Sequence, residues 1–531
     1  MGLTCCGRWT GELWLNEGFA DYVGHRVPTE VTRYTKAVTT WSAGRKGQAV
    51  LADQRPSTHP VSAEEVATAQ DGLMNLDRIS YYKGSSILRQ LATRIGEEAY
   101  RNGLRTYFQR HAWGNTSYRD LLDAFAEASG QDLTEWAKLW LLTANLNTLS
   151  LDLKIEDGRI ASAAIVQTAP ESHPVLRPHT LDIGLYGART EVVRVDVEGP
   201  RTELPQLTGK PAPHFVLLNE DDLAYVKLRF DPMSWQALPK MLPRLSDVNR
   251  AMVWGQLLLG VFDGVVPGAD YLAIAAEVLP AEPVSQIIAE VLSKARVEVA
   301  DRYLNPAERD TALVNLAAAC RQLLAVPGNT QDRQLTVFRS LIELTADVAE
   351  LRGWLTGAGL PAEVTLDAEL KWRILYRLSV LGDVTVAEVD AAYEADKSAQ
   401  GEQYQAKCRA AMPTPEAKAW AWQAIMSDTS LSNHKIFALG EGFWQPEQNQ
   451  LTESYVERFF AEAPALAKLR GDQTLEMLLR FLYPGYAVRQ RTLDLSDELL
   501  RREDISIPLR RKVIDLGDDL RRAVRVRVGT A

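Results

Sequence analysis

Five hundred and thirty-one residues, 46% of them apolar, are enough for roughly two to four domains with sizeable cores and mark a globular chain. A formal net charge of −10 argues against a nucleic-acid or anionic-membrane partner and favours a soluble substrate. Four cysteines, with Cys5 beside Cys6 and Cys320 and Cys408 isolated, make no disulfide framework, so a reducing cytoplasm is the expected setting; the longest apolar run, residues 251–262, contains Gln256 and is too short to cross a bilayer, and no signal peptide opens the chain.

Residues 1–145 read as helix-rich. A helix over residues 12–27 carries Leu13-Trp14-Leu15-Asn16-Glu17-Gly18-Phe19-Ala20, and on it Glu17 has Leu13, Trp14, Ala20 and Asp21 as its neighbours three and four positions away. Its carboxylate lies on a mostly apolar stripe and needs a cation or several donors, because uncompensated burial of charge is costly. A structural counter-charge and a metal ion both meet that need. Next comes Leu76-Asp77-Arg78-Ile79-Ser80-Tyr81-Tyr82-Lys83-Gly84, running into Ser85-Ser86-Ile87-Leu88-Arg89-Gln90-Leu91. Ser117-Tyr118-Arg119-Asp120 predicts a capping box before a helix that stops at Gly130, and Asp132-Leu133-Thr134-Glu135 predicts a second start of the same kind. Trp136 and Trp140, like Trp420 and Trp422 later, read as core residues.

The period then changes from helical to alternating. Leu149, Leu151, Leu153 and Ile155 share one side, Asp157-Gly158 turns the chain, and Ile160 begins a return strand. Val193, Val195 and Val197 repeat the pattern, as do Val226, Leu228 and Phe230 with Lys227 and Arg229 facing out. Residues 146–233 are expected to form a small antiparallel β-sandwich. From there the signal is helical to the end: Ser246 and Ser506 suit N-caps, Pro508 sits early in its helix, and Val326-Pro327-Gly328 separates two helices. No fixed period recurs, so residues 234–531 are expected to be an irregular α-solenoid. Arg510-Arg511-Lys512 and Arg521-Arg522 with Arg525 are interleaved with Asp515, Asp518 and Asp519, which points to a salt-bridged, solvated helix face rather than a nucleic-acid site.

The Trp-Leu-Asn-Glu-Gly-Phe-Ala segment and the Asp-x-Ile-x-Tyr-x-Lys-Gly element, in that order, resemble the M1 family of zinc metalloaminopeptidases. Residues 105–116, the following Asp120-Leu121-Leu122 and Trp136-Ala137-Lys138-Leu139-Trp140 resemble its actinobacterial members. The resemblance implies that residues 1–145 are the later part of a thermolysin-like catalytic domain, that Glu17 is the third zinc ligand, and that Tyr81 donates its hydroxyl to the oxyanion of the tetrahedral intermediate. It implies zinc as cofactor, with a bound water whose pKa falls to about 7, and peptides as substrates losing amino-terminal residues.

The departures lie at the amino end. No histidine in the sequence is followed by Glu and no two histidines lie four apart, so there is no His-Glu-x-x-His. Counted back from Glu17 at the family's spacing, both zinc histidines and the base glutamate fall before Met1, and the Gly-x-Met-Glu-Asn strand is also absent. An amino-terminal truncation is the expectation, with Cys5-Cys6 in a stretch unlike the family's. His25 is a poor substitute ligand, since eight helical positions separate it from Glu17 by about 12 Å. His59, in Ser57-Thr58-His59-Pro60, matches a His-Pro that precedes the tyrosine element in the family, and a loop-structural role is expected for it. The chain by itself is expected to bind zinc poorly and to turn over negligibly. Two other readings remain: a non-catalytic protein whose helical surface binds a peptide or partner, and one half of a split aminopeptidase completed by a missing amino-terminal polypeptide.

Overall fold

The computed structural model describes residues 5–7, 12–62 and 77–529. Leu76, quoted in the tyrosine element, and the side chains of Cys5 and Cys6 lie outside the described residues. The chain forms two compact units, residues 1–259 and 260–531, and is predominantly helical with small sheets. Among the described residues no helix is long and apolar enough to cross a membrane.

The first unit begins with strand β1 (Cys5–Gly7), paired in parallel with β2 (Gly114–Thr116). Helix α1 (Leu13–Val31) buries Trp14, Leu15, Gly18, Tyr22 and His25. It packs on helix α2 (Gly84–Ile95), whose buried face includes Ile87, Leu88 and Leu91. The capping box at Ser117 is present: the Asp120 N–H donates to its hydroxyl while the Asp120 carboxylate accepts the Ser117 N–H at 2.7 Å. The second start differs. Helix Thr134–Leu141 has Leu133 as its N-cap, and Asp132 accepts the Thr134 N–H at 2.9 Å, so this aspartate forms a short local turn instead of a capping box.

Strands β3 (Thr148–Glu156) and β4 (Arg159–Thr168) form the expected hairpin, with Asp157 and Gly158 both at positive φ, as the two-residue turn that matches strand twist requires. β5 (His179–Tyr186), β6 (Thr190–Val197), β7 (Arg201–Glu203), β8 (Phe215–Leu218) and β9 (Lys227–Arg229) complete two sheets, of order β7-β4-β3-β9 and β6-β5-β8. Three expectations are corrected. The β3–β9 pair is parallel, so the first sheet is mixed; the long connection from 157 to 226 makes a parallel return possible. The pattern of β3 lapses at its end, where the register shifts between Lys154 and Ile155 and leaves Ile155 41% exposed. Lys227 does not face out: it is buried, and its ammonium donates to Gln54 Oε1 at 2.8 Å because helical segments cover that side of the edge strand.

After β8, Asn219, Asp221 and Asp222 all take positive φ, a strained path for residues other than glycine. Side-chain bonds hold it. Lys46 and Ser42 both bond the Asp222 carboxylate, and Arg89 of α2 donates to the Asp221 carbonyl at 2.8 Å.

The second unit is helical throughout. Ser506 caps its last helix, Ile507–Gly529, and Ser246 caps Asp247–Phe262 at the end of the first unit. Within the second unit, helices α3 (Ala399–Ala411), α4 (Pro415–Ser427) and α5 (Asn433–Phe443) pack around Trp422, Ile425 and Leu439. Of the tryptophan pairs, Trp136, Trp140 and Trp422 are buried, whereas Trp420 is half-exposed with the Arg409 guanidinium 4.4 Å from its ring centre. The basic cluster is ion-paired, Arg521 with Asp497 and Arg522 with Asp518, but Lys512 and Asp515 are buried rather than solvated.

Candidate active site

Glu17 and Tyr81 come together because two backbones touch. A Cβ on Gly18 would lie 3.0 Å from the Gly84 carbonyl carbon and 3.1 Å from the Ser85 nitrogen, and a Cβ on Gly84 would lie 3.2 Å from the Trp14 ring. Only glycine at both positions lets α1 lie this close to the start of α2. Glu17 precedes one of these glycines and Tyr81 stands three residues before the other, in a π-helical turn, Ile79–Lys83, that leads into α2. The Tyr81 hydroxyl lies near the Glu17 carboxylate, close enough for that carboxylate to act on the phenol. Burial first, and then the Glu17 carboxylate, pushes the phenol up to about 12. Among the described residues no cation is ion-paired with Glu17, and a phenol is its polar neighbour.

The remaining residues of the tyrosine element anchor the turn. Asp77 accepts the Ile79 N–H at 2.8 Å through its carboxylate and the Tyr81 N–H at 3.2 Å through its carbonyl. Lys83 is fully buried, 2.8 Å from Asp53 Oδ2, and donates to the Asn145 carbonyl at 3.1 Å. Asp53 Oδ1 accepts the Asn145 N–H at 2.8 Å and the Thr58 hydroxyl at 2.7 Å. One ion pair therefore joins the turn, the segment after helix Gly47–Ala52, and the chain just before β3. Asp53 and Asn145 escaped the sequence reading, since a buried Lys announces that it needs a counter-charge but not which of many carboxylates supplies it. The Gly18–Gly84 contact had a fainter signal: each glycine follows directly on a motif residue within a helical stretch.

The histidines fall elsewhere. His25 is buried, stacked on Trp41 with ring centres 4.5 Å apart, and burial with the nearby Arg89 charge pushes it down to about 3. It is a neutral core residue. His179 is likewise buried, edge-on to Trp140. His59 sits beside Asp77, its Nε2 3.3 Å from Asp77 Oδ2. Asp21, one turn after Glu17, is committed to the Trp41 indole N–H at 2.7 Å and to Arg45 at 2.7 Å. Among the described residues no group of three or more His, Cys, Asp or Glu could hold a metal ion, and Glu17 alone offers one carboxylate, so these residues do not fit zinc by themselves.

A helix-borne glutamate meeting a tyrosine from a π-helical turn, followed by two small sheets and a helical region, defines a class of protein. Residues 2–140 match the peptidase family M1 domain and residues 215–522 match the ERAP1-like C-terminal domain. The chain belongs to the M1 peptidase family, in the form that carries an ERAP1-like C-terminal domain. It is similar to Aminopeptidase N of Streptomyces lividans, 35% identical over 98% of this chain and 63% of that protein. Aminopeptidase 2 of Candida albicans is 26% identical over 44% of this chain and 25% of its own length, and Alanine/arginine aminopeptidase of Saccharomyces cerevisiae is 32% identical over 27% and 17%. The chain spans less than two thirds of the length of these relatives.

Proposed function

We propose that this chain carries part of the active site of a zinc aminopeptidase that removes amino-terminal residues from peptides. In this reading Glu17 is one zinc ligand, and the other ligands and the general base come from a His-Glu-x-x-His helix that the sequence does not contain. When bound, the metal supplies an activated water and polarises the scissile carbonyl. The chain's own share is to orient one carboxylate and to present the Tyr81 hydroxyl where negative charge develops on the substrate oxygen. The observation that carries the reading is the backbone contact of Gly18 with Gly84, which brings Glu17 and Tyr81, side chains from two separate motifs, near one another. The similarity to Aminopeptidase N of Streptomyces lividans supports it.

The finer architecture belongs to the same proposal. Residues 1–145 correspond to the later part of a thermolysin-like domain, 146–233 to a β-sandwich and 234–531 to an irregular α-solenoid that limits access to peptides. A cytoplasmic setting fits the buried, unpaired Cys320 and Cys408.

The test uses the native protein purified from its source. Hydrolysis of an alanyl or leucyl amide is expected to be lost with a chelator and restored by zinc. Glu17→Ala abolishes it, and Tyr81→Phe lowers kcat by about 10²–10³ with KM little changed. Full hydrolysis by the Glu17→Ala protein overturns the assignment. The 531-residue chain by itself is expected to show negligible turnover, and adding a polypeptide that bears the His-Glu-x-x-His helix restores it.

A further inference from the structure

Two hydrogen-bond acceptors face the ring of His59. Its Nδ1 lies 2.8 Å from the Pro60 carbonyl oxygen, and its Nε2 lies 3.3 Å from Asp77 Oδ2. A carbonyl oxygen only accepts, so Nδ1 carries a proton. A neutral imidazole with its proton on Nδ1 would turn the Nε2 lone pair towards a carboxylate, which is repulsive; an imidazolium donates from both nitrogens and satisfies both contacts. The alternative, a protonated Asp77 donating to neutral Nε2, conflicts with the surroundings of that carboxylate. The Ile79 and Ser80 N–H groups both donate to Asp77 Oδ1, which favours the ionised carboxylate whatever the state of His59.

Asp77 is also what starts the turn of Tyr81. Its Oδ1 accepts the Ile79 N–H at 2.8 Å and the Ser80 N–H at 3.4 Å, and its carbonyl accepts the Tyr81 N–H at 3.2 Å. The chain of contacts therefore runs from the His59 ring through one aspartate to the backbone that aims the Tyr81 hydroxyl at Glu17. Among the described residues, the charged and titratable groups around it include Asp77 on the turn, the Asp53–Lys83 pair reached through the Thr58 hydroxyl, and the buried Tyr225, which feels the Asp77 charge.

We propose that His59 is a positioning residue for Tyr81, doubly protonated in the folded chain and bridging the Pro60 carbonyl to the aspartate that caps the π-helical turn. Its importance to catalysis rests on the role assigned above to Tyr81, but its protonation state and its hold on the turn do not.

The experiment is ring nitrogen NMR on the full chain with labelled histidine, together with amide hydrogen exchange across residues 77–83. His59 is expected to show two protonated nitrogens at neutral pH and to titrate above the ordinary histidine range. Asp77→Asn returns that titration to about 6.5 or below. Exchange at Ile79–Tyr81, corrected for its intrinsic pH dependence, rises about tenfold as His59 loses its second proton, and in His59→Gln it is fast at every pH. A His59 ring carrying a single proton at neutral pH overturns the proposal, and this reading needs no variant that could fail to fold. Unchanged Ile79–Tyr81 exchange in a folded His59→Gln chain also overturns it. If instead the NMR and exchange results hold while Tyr81→Phe leaves hydrolysis by the native protein intact, the functional assignment fails and the structural one stands.

Discussion

Deep charges are handled differently in the two units. In the first, Lys83 pairs with Asp53 and Lys46 with Asp222, one cation to one carboxylate, with the donors left over going to main-chain carbonyls, while buried Arg177 donates to the Leu139 and Ala144 carbonyls and the Thr143 hydroxyl. In the second, charges are shared or dispense with a carboxylate altogether. Glu447 gathers Arg296 at 2.8 Å, Arg377 at 2.9 Å and Arg309 at 3.1 Å, while Asp301 takes Arg309 and Arg296 as well. Lys418 is buried with no carboxylate partner, its ammonium donating to the Ala410 and Phe443 carbonyls at 2.8 Å each, in the last turns of α3 and α5. Helix ends carry unsatisfied carbonyls and partial negative charge, so two of them can replace an acid. A one-to-one pair specifies geometry but leaves no spare partner; a shared network tolerates the loss of a member. The first unit places its unshared pairs next to the turn of Tyr81 and the strained path at 219–222, where exact placement of backbone matters most.

The sharpest way to break that contrast is Lys83→Met, which leaves the Asp53 carboxylate buried without a cation. A loss of about 3–5 kcal/mol in chemical denaturation is expected. Replacing Asp53 with Leu in the same chain recovers only part of it, because the Asn145 N–H and Thr58 hydroxyl then lack their acceptor. Glu447→Gln is expected to cost less, about 2–3 kcal/mol, since Asp301 still holds two of the three arginines. An equal or larger loss for Glu447→Gln would show that sharing confers no tolerance.

Gly18→Ala tests the backbone contact rather than the charges. The added methyl meets main-chain atoms of Gly84 and Ser85, which cannot swing aside, so a loss of about 2 kcal/mol is expected in thermal unfolding, together with a wider separation of Tyr81 from Glu17. The last test concerns pH. Burial lowers Lys418 from 10.5 to about 7, so between those values the unfolded chain holds a proton that the folded chain does not. Stability attributable to this residue therefore rises as pH goes from about 7 to about 10.5. Urea midpoints for wild type and Lys418→Met should diverge across that window, and parallel curves would mean that the helix ends keep the ammonium charged.

Much of this was readable locally. The capping box at Ser117 and the N-caps at Ser246 and Ser506 depend on side chains bonding backbone a few residues away, and the Asp157-Gly158 hairpin on two adjacent residues that adopt positive φ, all of which a linear pattern records. Glu17 and Tyr81 stood out because each sits in a distinctive run of neighbours. Lys227 was misplaced because alternation reports which side of a strand a residue takes, not whether that side meets solvent or another layer. Trp420 was misplaced for the related reason that one helix can bury one tryptophan and leave its neighbour at the rim.

The sequence by itself determined helix and strand identity, the turn chemistry, the family, and the two side chains that lead the candidate site. Only the tertiary structure decided that Gly18 meets Gly84, that Lys83 finds Asp53, that β9 runs parallel to β3, and that both His59 nitrogens face acceptors. Local order follows from backbone sterics and short-range hydrogen bonds. Which distant groups meet is settled when the whole core packs and every buried charge and polar atom must find a partner at once.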